Sequence, residues 1–373
     1  MRSFVVTRTE LSVPLGDRTY PIVVGWGILD GLGDRLRPVL PGKKIALVTD
    51  TEVGPRYADR VSTSLERAGF HVTEVRLPAG EQHKHLDTIE RILDSCLEAR
   101  FDRQSAIVAL GGGVVGDMAG FAAAILLRGV RFIQVPTTIV AQVDASVGGK
   151  TGVDHRRGKN LIGAFHQPSL VYIDVGTLGT LPERERIAGL AEVVKHAIIR
   201  DTDMFSTLES TIDRFADFTA PEEDWVTLIS RNCAIKAEIV SQDERELGLR
   251  AILNYGHTAG HAIETLGNYD RYRHGEAVLL GMLVAGEIAL DRGMISHGDY
   301  VRHNALIERL LRISLPVDYS LNTVWECMLS DKKARDGVLA FVLPTRIGEV
   351  SIARDVTPDE FSAAWEHAML KRE

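Results

Sequence analysis

Apolar residues follow two spacings along this chain, and the change comes near residue 180. In the first part, short apolar runs alternate with stretches of helical spacing. Runs at 19–24, 43–49, 71–77, 105–110, 130–135 and 170–173 predict strands. Those at 43–49 and 105–110 have no polar face, as buried parallel strands require. Helices are predicted at about 57–68, at 88–99 and after the glycines that follow residue 110. This alternation implies a mostly parallel, Rossmann-like sheet. From Leu181-Pro182-Glu183 onward the spacing is helical to about residue 327, and only 338–343 and 349–352 read as strands, a small hairpin. The expectation is an α/β N-terminal domain over 1–180 and a mostly α-helical C-terminal domain over 181–373. The active site is expected in the interdomain cleft. The 373 residues suit two domains, and the chain has no internal repeat or low-complexity linker.

Composition narrows the class. The run at 106–127 is apolar enough to be tested as a membrane span, but Asp117 and its glycines make it read as strand, loop and buried helix. Lys and Arg number 43 and Asp and Glu 51, a formal net charge of −8, which argues against a nucleic-acid or membrane-surface partner. Cys96, Cys233 and Cys327 are far apart and form no Cys-x-x-Cys pair. That pattern fits a reducing cytoplasm better than a disulfide framework. The first eight residues hold no apolar core of a signal peptide, so a cytoplasmic location is expected.

Two loops suit anions. Gly111, Gly113 and Gly116 have the G-x-G-x-x-G spacing between a predicted strand and a predicted helix. Without a Cβ the backbone can approach a pyrophosphate, and a helix N-terminus favours its charge. A usual Rossmann unit would place an acidic residue about twenty positions on. That region reads Phe132-Ile133-Gln134-Val135-Pro136-Thr137-Thr138 instead. Asp50 and Glu81, at earlier predicted strand ends, can take that role, and Lys84, three residues on, can add charge near a phosphate. The second loop runs Asp144-Ala145-Ser146-Val147-Gly148-Gly149-Lys150-Thr151-Gly152 and leads into Gly158-Lys159-Asn160. Its glycines and lysines suit a phosphorylated or carboxylated ligand, although it lacks Walker A spacing.

Metal chemistry is signalled further along. His257 and His261 lie four residues apart, on one helix face, and His274 follows thirteen residues later. A catalytic zinc takes about three protein ligands and keeps one position open. An upstream carboxylate, Glu192, interrupts an apolar helical stretch, with Lys195 one turn on. Residue chemistry therefore groups Glu192 with the imidazoles and leaves open which of them complete the set.

Taken in order, Gly111–Asp117, Leu127-Arg128-Gly129, Pro136-Thr137-Thr138, 148–152, 158–160, Glu192-Val193-Val194-Lys195, 246–254, Gly256-His257-Thr258, His274-Gly275-Glu276 and Asp331-Lys332-Lys333 resemble the 3-dehydroquinate synthase family of sugar phosphate cyclases. The likeness runs from about residue 13 to 349. It implies conversion of 3-deoxy-D-arabino-heptulosonate 7-phosphate to 3-dehydroquinate and phosphate, in the shikimate route to aromatic amino acids. It also implies NAD, one divalent metal (zinc or cobalt) and a homodimer. Carried over residue by residue, it makes Glu192, His257 and His274 the metal ligands and moves His261 to phosphate handling. Asp50, Glu81, Lys84, Gly113, Gly116, Asp117, Thr137, Thr138, Asp144, Lys159 and Thr180 would hold NAD. Lys150, Lys195, Lys236, Glu246, Arg250, Asn254 and His261 would be catalytic. Arg128, Asn160, Lys332 and Lys333 would complete the substrate pocket. Glu52 departs from the Asn of some members, and His196 from a common aromatic residue. A cyclase acting on sedoheptulose 7-phosphate would tend to differ at Asn254 and His261. A metal-dependent NAD alcohol or glycerol-type dehydrogenase would need no cationic pocket.

Overall fold

The structure, a computed structural model, describes residues 8–312, 319–330 and 338–370. Lys332 and Lys333 lie outside the described residues. The chain forms two compact units, and neither is a continuous segment. The first extends to Leu181 and includes Pro221–Arg245, and the second comprises Pro182–Ala220 and the chain from Glu246 onward. A single boundary at 180 therefore misses one excursion of the chain.

The first unit is built on strands β1 (Arg8–Val13), β2 (Tyr20–Gly25), β3 (Lys44–Asp50), β4 (His71–Leu77), β5 (Ala106–Gly111), β6 (Arg131–Pro136), β7 (Lys150–His155), β8 (Gly158–Phe165) and β9 (Leu170–Asp174). Seven of them form one sheet in the order β1-β2-β9-β6-β5-β3-β4. Every neighbouring pair is parallel except β1 with β2. Helices α1 (Leu32–Leu36), α2 (Gly54–Arg67), α3 (Leu86–Glu98) and α4 (Gly113–Ile125) cover it.

The unbroken apolar runs of β3 and β5 follow from this arrangement. Ile45, Leu47, Val108 and Leu110 join a core with Val61 and Leu65 of α2. Ala46, Val48, Ile107 and Ala109 face the opposite way, into a core with Ile89 and Ile92 of α3 and Met118 of α4. Successive side chains point to opposite faces, and both faces are covered, so the interior positions are apolar apart from Thr49.

Two features depart from the expected pattern. Strand β1 carries no apolar alternation because it is a largely exposed edge strand. The glycine-rich segment expected to be a loop is partly an antiparallel ribbon of β7 and β8, with Gly152 opposite Gly163. A Cβ at either position would strike the backbone of the facing strand. Lys150, Lys159 and Asn160 thus sit on strands.

The second unit begins with α5 (Glu183–Arg200) and α6 (Thr202–Ala216). Helix α7 (Glu222–Gln242) returns to the first unit and packs on β1 and on the turn of π-helix at Ala141–Ala145. The second unit then continues with α8 (His257–Leu266), α9 (His274–Asp291), α10 (His297–Glu308), α11 (Leu321–Ser330), the hairpin β10 (Phe341–Arg346) and β11 (Glu349–Ala353), and α12 (Pro358–Leu370). Helix α9 is buried all round, because α5, α8, α10, α12 and β10 all pack on it.

Glycines set how closely these helices cross. A Cβ at Gly275 would strike the Ala188 carbonyl oxygen of α5, and one at Gly281 would strike the Gly256 carbonyl oxygen at the start of α8. Gly256 itself has φ +75°, a left-handed conformation that other residues rarely adopt. Gly275→Ala is expected to cost about 3 kcal/mol, since backbone rather than a flexible side chain must yield. It should lower the thermal midpoint and the metal content together. A variant with wild-type melting and metal content would show that the crossing relaxes freely.

Among the described residues, no helix is long and apolar enough to cross a membrane.

Candidate active site

In the second unit three helices converge on one point. Glu192 lies in the middle of α5, and His257 and His274 are the first residues of α8 and α9. One oxygen of Glu192 and one nitrogen of each imidazole all lie within 4.8 Å of one another. The Nε2 atoms of His257 and His274 are 3.6 and 3.3 Å from Glu192 Oε1. Each imidazole is turned by a partner on its far side. His257 Nδ1 donates to the Tyr255 carbonyl at 2.9 Å, and His274 Nδ1 donates to Glu264 Oε2 at 3.0 Å. With both Nδ1 atoms committed, both Nε2 atoms face Glu192. Outer hydrogen bonds orient metal-ligating histidines in the same way.

The electrostatics favour a cation. Both carboxylate oxygens of Glu192 are buried without a well-formed hydrogen bond, although Oε2 pairs with Lys195 Nζ. Burial alone would raise the Glu192 pKa, but Lys195 and the two imidazoles hold it well below the usual carboxylate range. Burial pulls His274 down, yet the carboxylates of Glu264 and Glu192 more than offset this and push it up to about 10. A pocket that draws a proton so strongly also draws a metal ion, which displaces that proton. The donor set fits a zinc-like divalent cation.

His261 is placed differently. It stacks edge-on against His257, with ring centroids 5.3 Å apart. Its close donor neighbours are Glu264 and His274, a second possible ligand set that shares His274. That set would compete for the His274 nitrogen already engaged by Glu264, whereas the Glu192 set uses the other. The i, i+4 pairing of His257 with His261 therefore does not by itself form the site. Arg250 and Asn254 lie on the turn Leu249–Asn254, which packs on α5. Arg250 and Lys195 are buried, at 2% and 1% exposure. Asn254 Nδ2 donates to Glu246 Oε1 at 2.8 Å.

The first unit holds the nucleotide candidates. Helix α4 starts at Gly113 with no side-chain cap, so its first N–H groups remain available. Gly111 and Gly116 are explained by packing, because a Cβ would come within 2.7 Å of Val115 and 2.8 Å of Gln134. Gly113 is not, since its nearest neighbour would be Ala145 at an ordinary 3.4 Å. Its missing side chain leaves room above the helix end. Thr137, beside it, is buried with its hydroxyl unpartnered among the described residues. These features fit a pyrophosphate.

Lys84 is buried and contacts Asp117 Oδ2 at 2.8 Å and Asn160 Oδ1 at 2.6 Å. Burial opposes its charge, but Asp117 and Glu81 hold its pKa above the usual lysine range. Burial pushes Asp117 up, against the pull of Lys84. Lys159 lies 3.4 Å from Glu81. Asp50 accepts the N–H groups of Glu52 and Val53 at the start of α2. Thr138 accepts from Ala141 N at 3.2 Å. Thr180 is engaged with the Tyr57 hydroxyl at 2.8 Å. Arg128 sits in a turn where Leu127, Arg128 and Gly129 all have positive φ. Helix α7 brings Lys236 to Asp144 Oδ1 at 2.7 Å, and Lys150 stands exposed at the head of β7.

Glu264 went unnoticed in the sequence. Its spacing held a signal, since 257, 261 and 264 share one face of α8.

The chain is similar to known proteins over nearly its whole length. The family models described as 3-dehydroquinate synthase N-terminal and C-terminal match residues 74–188 and 189–334. The chain belongs to the 3-dehydroquinate synthase family. A 3-dehydroquinate synthase of Desulforamulus reducens is 51% identical over 93% of this chain and 96% of that protein. A 2-epi-5-epi-valiolone synthase of Streptomyces hygroscopicus, solved with NAD⁺ and Zn²⁺, superposes with a TM-score of 0.86 at 28% identity, over 95% of this chain and 97% of that one. A 2-deoxy-scyllo-inosose synthase, solved with carbaglucose-6-phosphate, NAD⁺ and Co²⁺, also gives 0.86, at 26% identity over 96% and 99%.

Proposed function

We propose that this protein converts 3-deoxy-D-arabino-heptulosonate 7-phosphate to 3-dehydroquinate and phosphate. The observation that carries the reading is the Glu192–His257–His274 donor set, with both Nδ1 atoms committed and both Nε2 atoms turned inward. When bound, a divalent cation would acidify a substrate hydroxyl and NAD⁺ would accept the hydride from its carbon.

The residues divide that work. Glu192, His257 and His274 would hold the cation. Asp50, Glu81, Lys84, Gly113, Gly116, Asp117, Thr137, Thr138, Asp144, Lys159 and Thr180 would hold NAD. Arg128, Lys150, Asn160, Lys195, Lys236, Arg250 and His261 would bind the two anionic ends of the substrate and fix its geometry, which lowers the entropic part of the barrier. Glu246 and Asn254, already hydrogen-bonded to each other, would position the ring. Oxidation at one carbon acidifies the neighbouring C–H, so phosphate can leave. The ketone is then reduced, and the released enol pyranose opens and closes by an aldol step. Product and phosphate together carry all the atoms of the substrate, so no net oxidation occurs. A lyase acting as a cytoplasmic homodimer completes the reading. It rests on the family resemblance and on cysteines that are free among the described residues.

The test is incubation with the heptulosonate phosphate, NAD⁺ and zinc. Phosphate and dehydroquinate should appear one to one, over many turnovers per NAD, with no lasting rise in reduced cofactor. Stoichiometric NADH would support the dehydrogenase reading instead. Faster turnover of sedoheptulose 7-phosphate would move the chain to the other cyclase class.

A further inference from the structure

Behind His257 lies a buried polar pair that no step above uses. Tyr255 and His303 are both fully buried. The Tyr255 hydroxyl lies 2.6 Å from His303 Nε2, and His303 Nδ1 lies 2.7 Å from Asn304 Oδ1. The amide oxygen only accepts, so Nδ1 carries the ring proton and Nε2 accepts from the phenol. Burial pulls the His303 pKa down to about 4, so the ring is neutral at physiological pH. Among the described residues, the other acceptor for the phenol is the Met282 carbonyl, 3.4 Å away.

The imidazole has a built seat. A Cβ at Gly286 of α9 would lie 2.8 Å from His303 Cε1 and 3.1 Å from Nδ1, so glycine there lets the ring lie against the helix. Burying a polar pair this deeply is unfavourable unless both members are satisfied, and an apolar pair would have filled the space. The pair acts on the residue that matters next. Tyr255 is followed by Gly256, whose left-handed turn points the Tyr255 carbonyl back at His257 Nδ1, 2.9 Å away.

We propose that His303, from α10, is a positioning residue of the metal centre, holding Tyr255 so that its carbonyl fixes the orientation of His257. The proposal rests on the metal reading above. The hydrogen bonds of His303 go to Tyr255 and Asn304. Its effect reaches the site through one hydrogen bond and one backbone carbonyl.

The experiment compares His303→Leu, Tyr255→Phe and His303→Gln with the wild-type protein. Zn²⁺ and Co²⁺ dissociation constants are measured by competition with a chelating dye. The visible absorption of the Co²⁺-loaded protein and the thermal midpoint of the metal-free protein are recorded alongside. Partners of metal-ligating histidines typically contribute 10–100-fold in affinity, and one further bond out the effect should be about three- to tenfold. His303→Leu and Tyr255→Phe should both weaken metal binding by that factor and shift the Co²⁺ band. His303→Gln can still accept from the phenol and should stay within about twofold of wild type. If His303→Leu does not fold, Tyr255→Phe carries the test. Wild-type affinity and an unshifted band in Tyr255→Phe would overturn the proposal, whatever its melting behaviour. So would a glutamine variant as impaired as the leucine one. Failure of the wild-type protein to bind either ion would instead overturn the metal centre itself.

Discussion

His274→Ala is expected to leave the purified protein with little bound zinc or cobalt and to abolish turnover. Structural zinc sites bind with roughly 10–16 kcal/mol shared among their ligands, so one ligand is worth about 3–4 kcal/mol, or two to three orders of magnitude in affinity. His274 supplies one of three converging donors, and its ring is aimed by Glu264 3.0 Å away. The substitution also removes the His274 partner of the buried Glu264, which lowers stability for a different reason. Glu192→Gln disturbs a different ion pair, that with the buried Lys195. It removes the charged ligand at nearly constant volume and leaves the Glu264–His274 bond intact. Both variants should lose the metal, while circular dichroism should show the native helix content. Adding zinc should raise the thermal midpoint of the wild-type protein but of neither variant. Full stoichiometric metal by elemental analysis in either one would remove that residue from the ligand set.

Arg250→Ala is expected to lower kcat/KM by about 10- to 150-fold, the loss of one charge-assisted hydrogen bond of roughly 1.5–3 kcal/mol. Arg250 is 2% exposed, so its interaction with a substrate anion would be little screened by water. Lys150 stands exposed at the head of β7, where solvent screens its charge. Lys150→Ala should therefore fall at the lower end, about tenfold. Arg250→Lys should remain impaired, because an ammonium cannot reproduce a two-pronged guanidinium contact. NAD affinity by calorimetry and metal content should stay near wild type in all three. Wild-type kcat/KM in both alanine variants would show that neither side chain meets the substrate.

Lys84 shows how far residue chemistry carries and where it stops. Its position after a predicted strand marks it as a candidate for a phosphate. The structure shows it buried among Asp117, Asn160 and Glu81, as part of a charge network. The other members come from α4, β8 and the turn after β4. No local spacing could have assembled them, because Asn160 lies 76 residues from Lys84.

The sequence by itself determined the parallel sheet and the helical remainder. A short apolar run between turn signals reads as a strand covered on both faces, as in β3 and β5, whereas α9 is apolar over 18 residues, so its length rather than its period marks it as a helix. It also determined the donor types, since two imidazoles and a carboxylate set amid apolar residues already announce a cation. Only the tertiary structure decided which donors meet. Local helical geometry pairs His257 with His261, but the close crossings at Gly275 and Gly281 bring α5, α8 and α9 together at Glu192, His257 and His274. It likewise decided that α7 returns to the first unit and carries Lys236 to Asp144. A helix's apolar stripe says that one face is buried, and nothing about what it is buried against. That partner is chosen by contacts between residues far apart in the chain, which leave no period in the sequence.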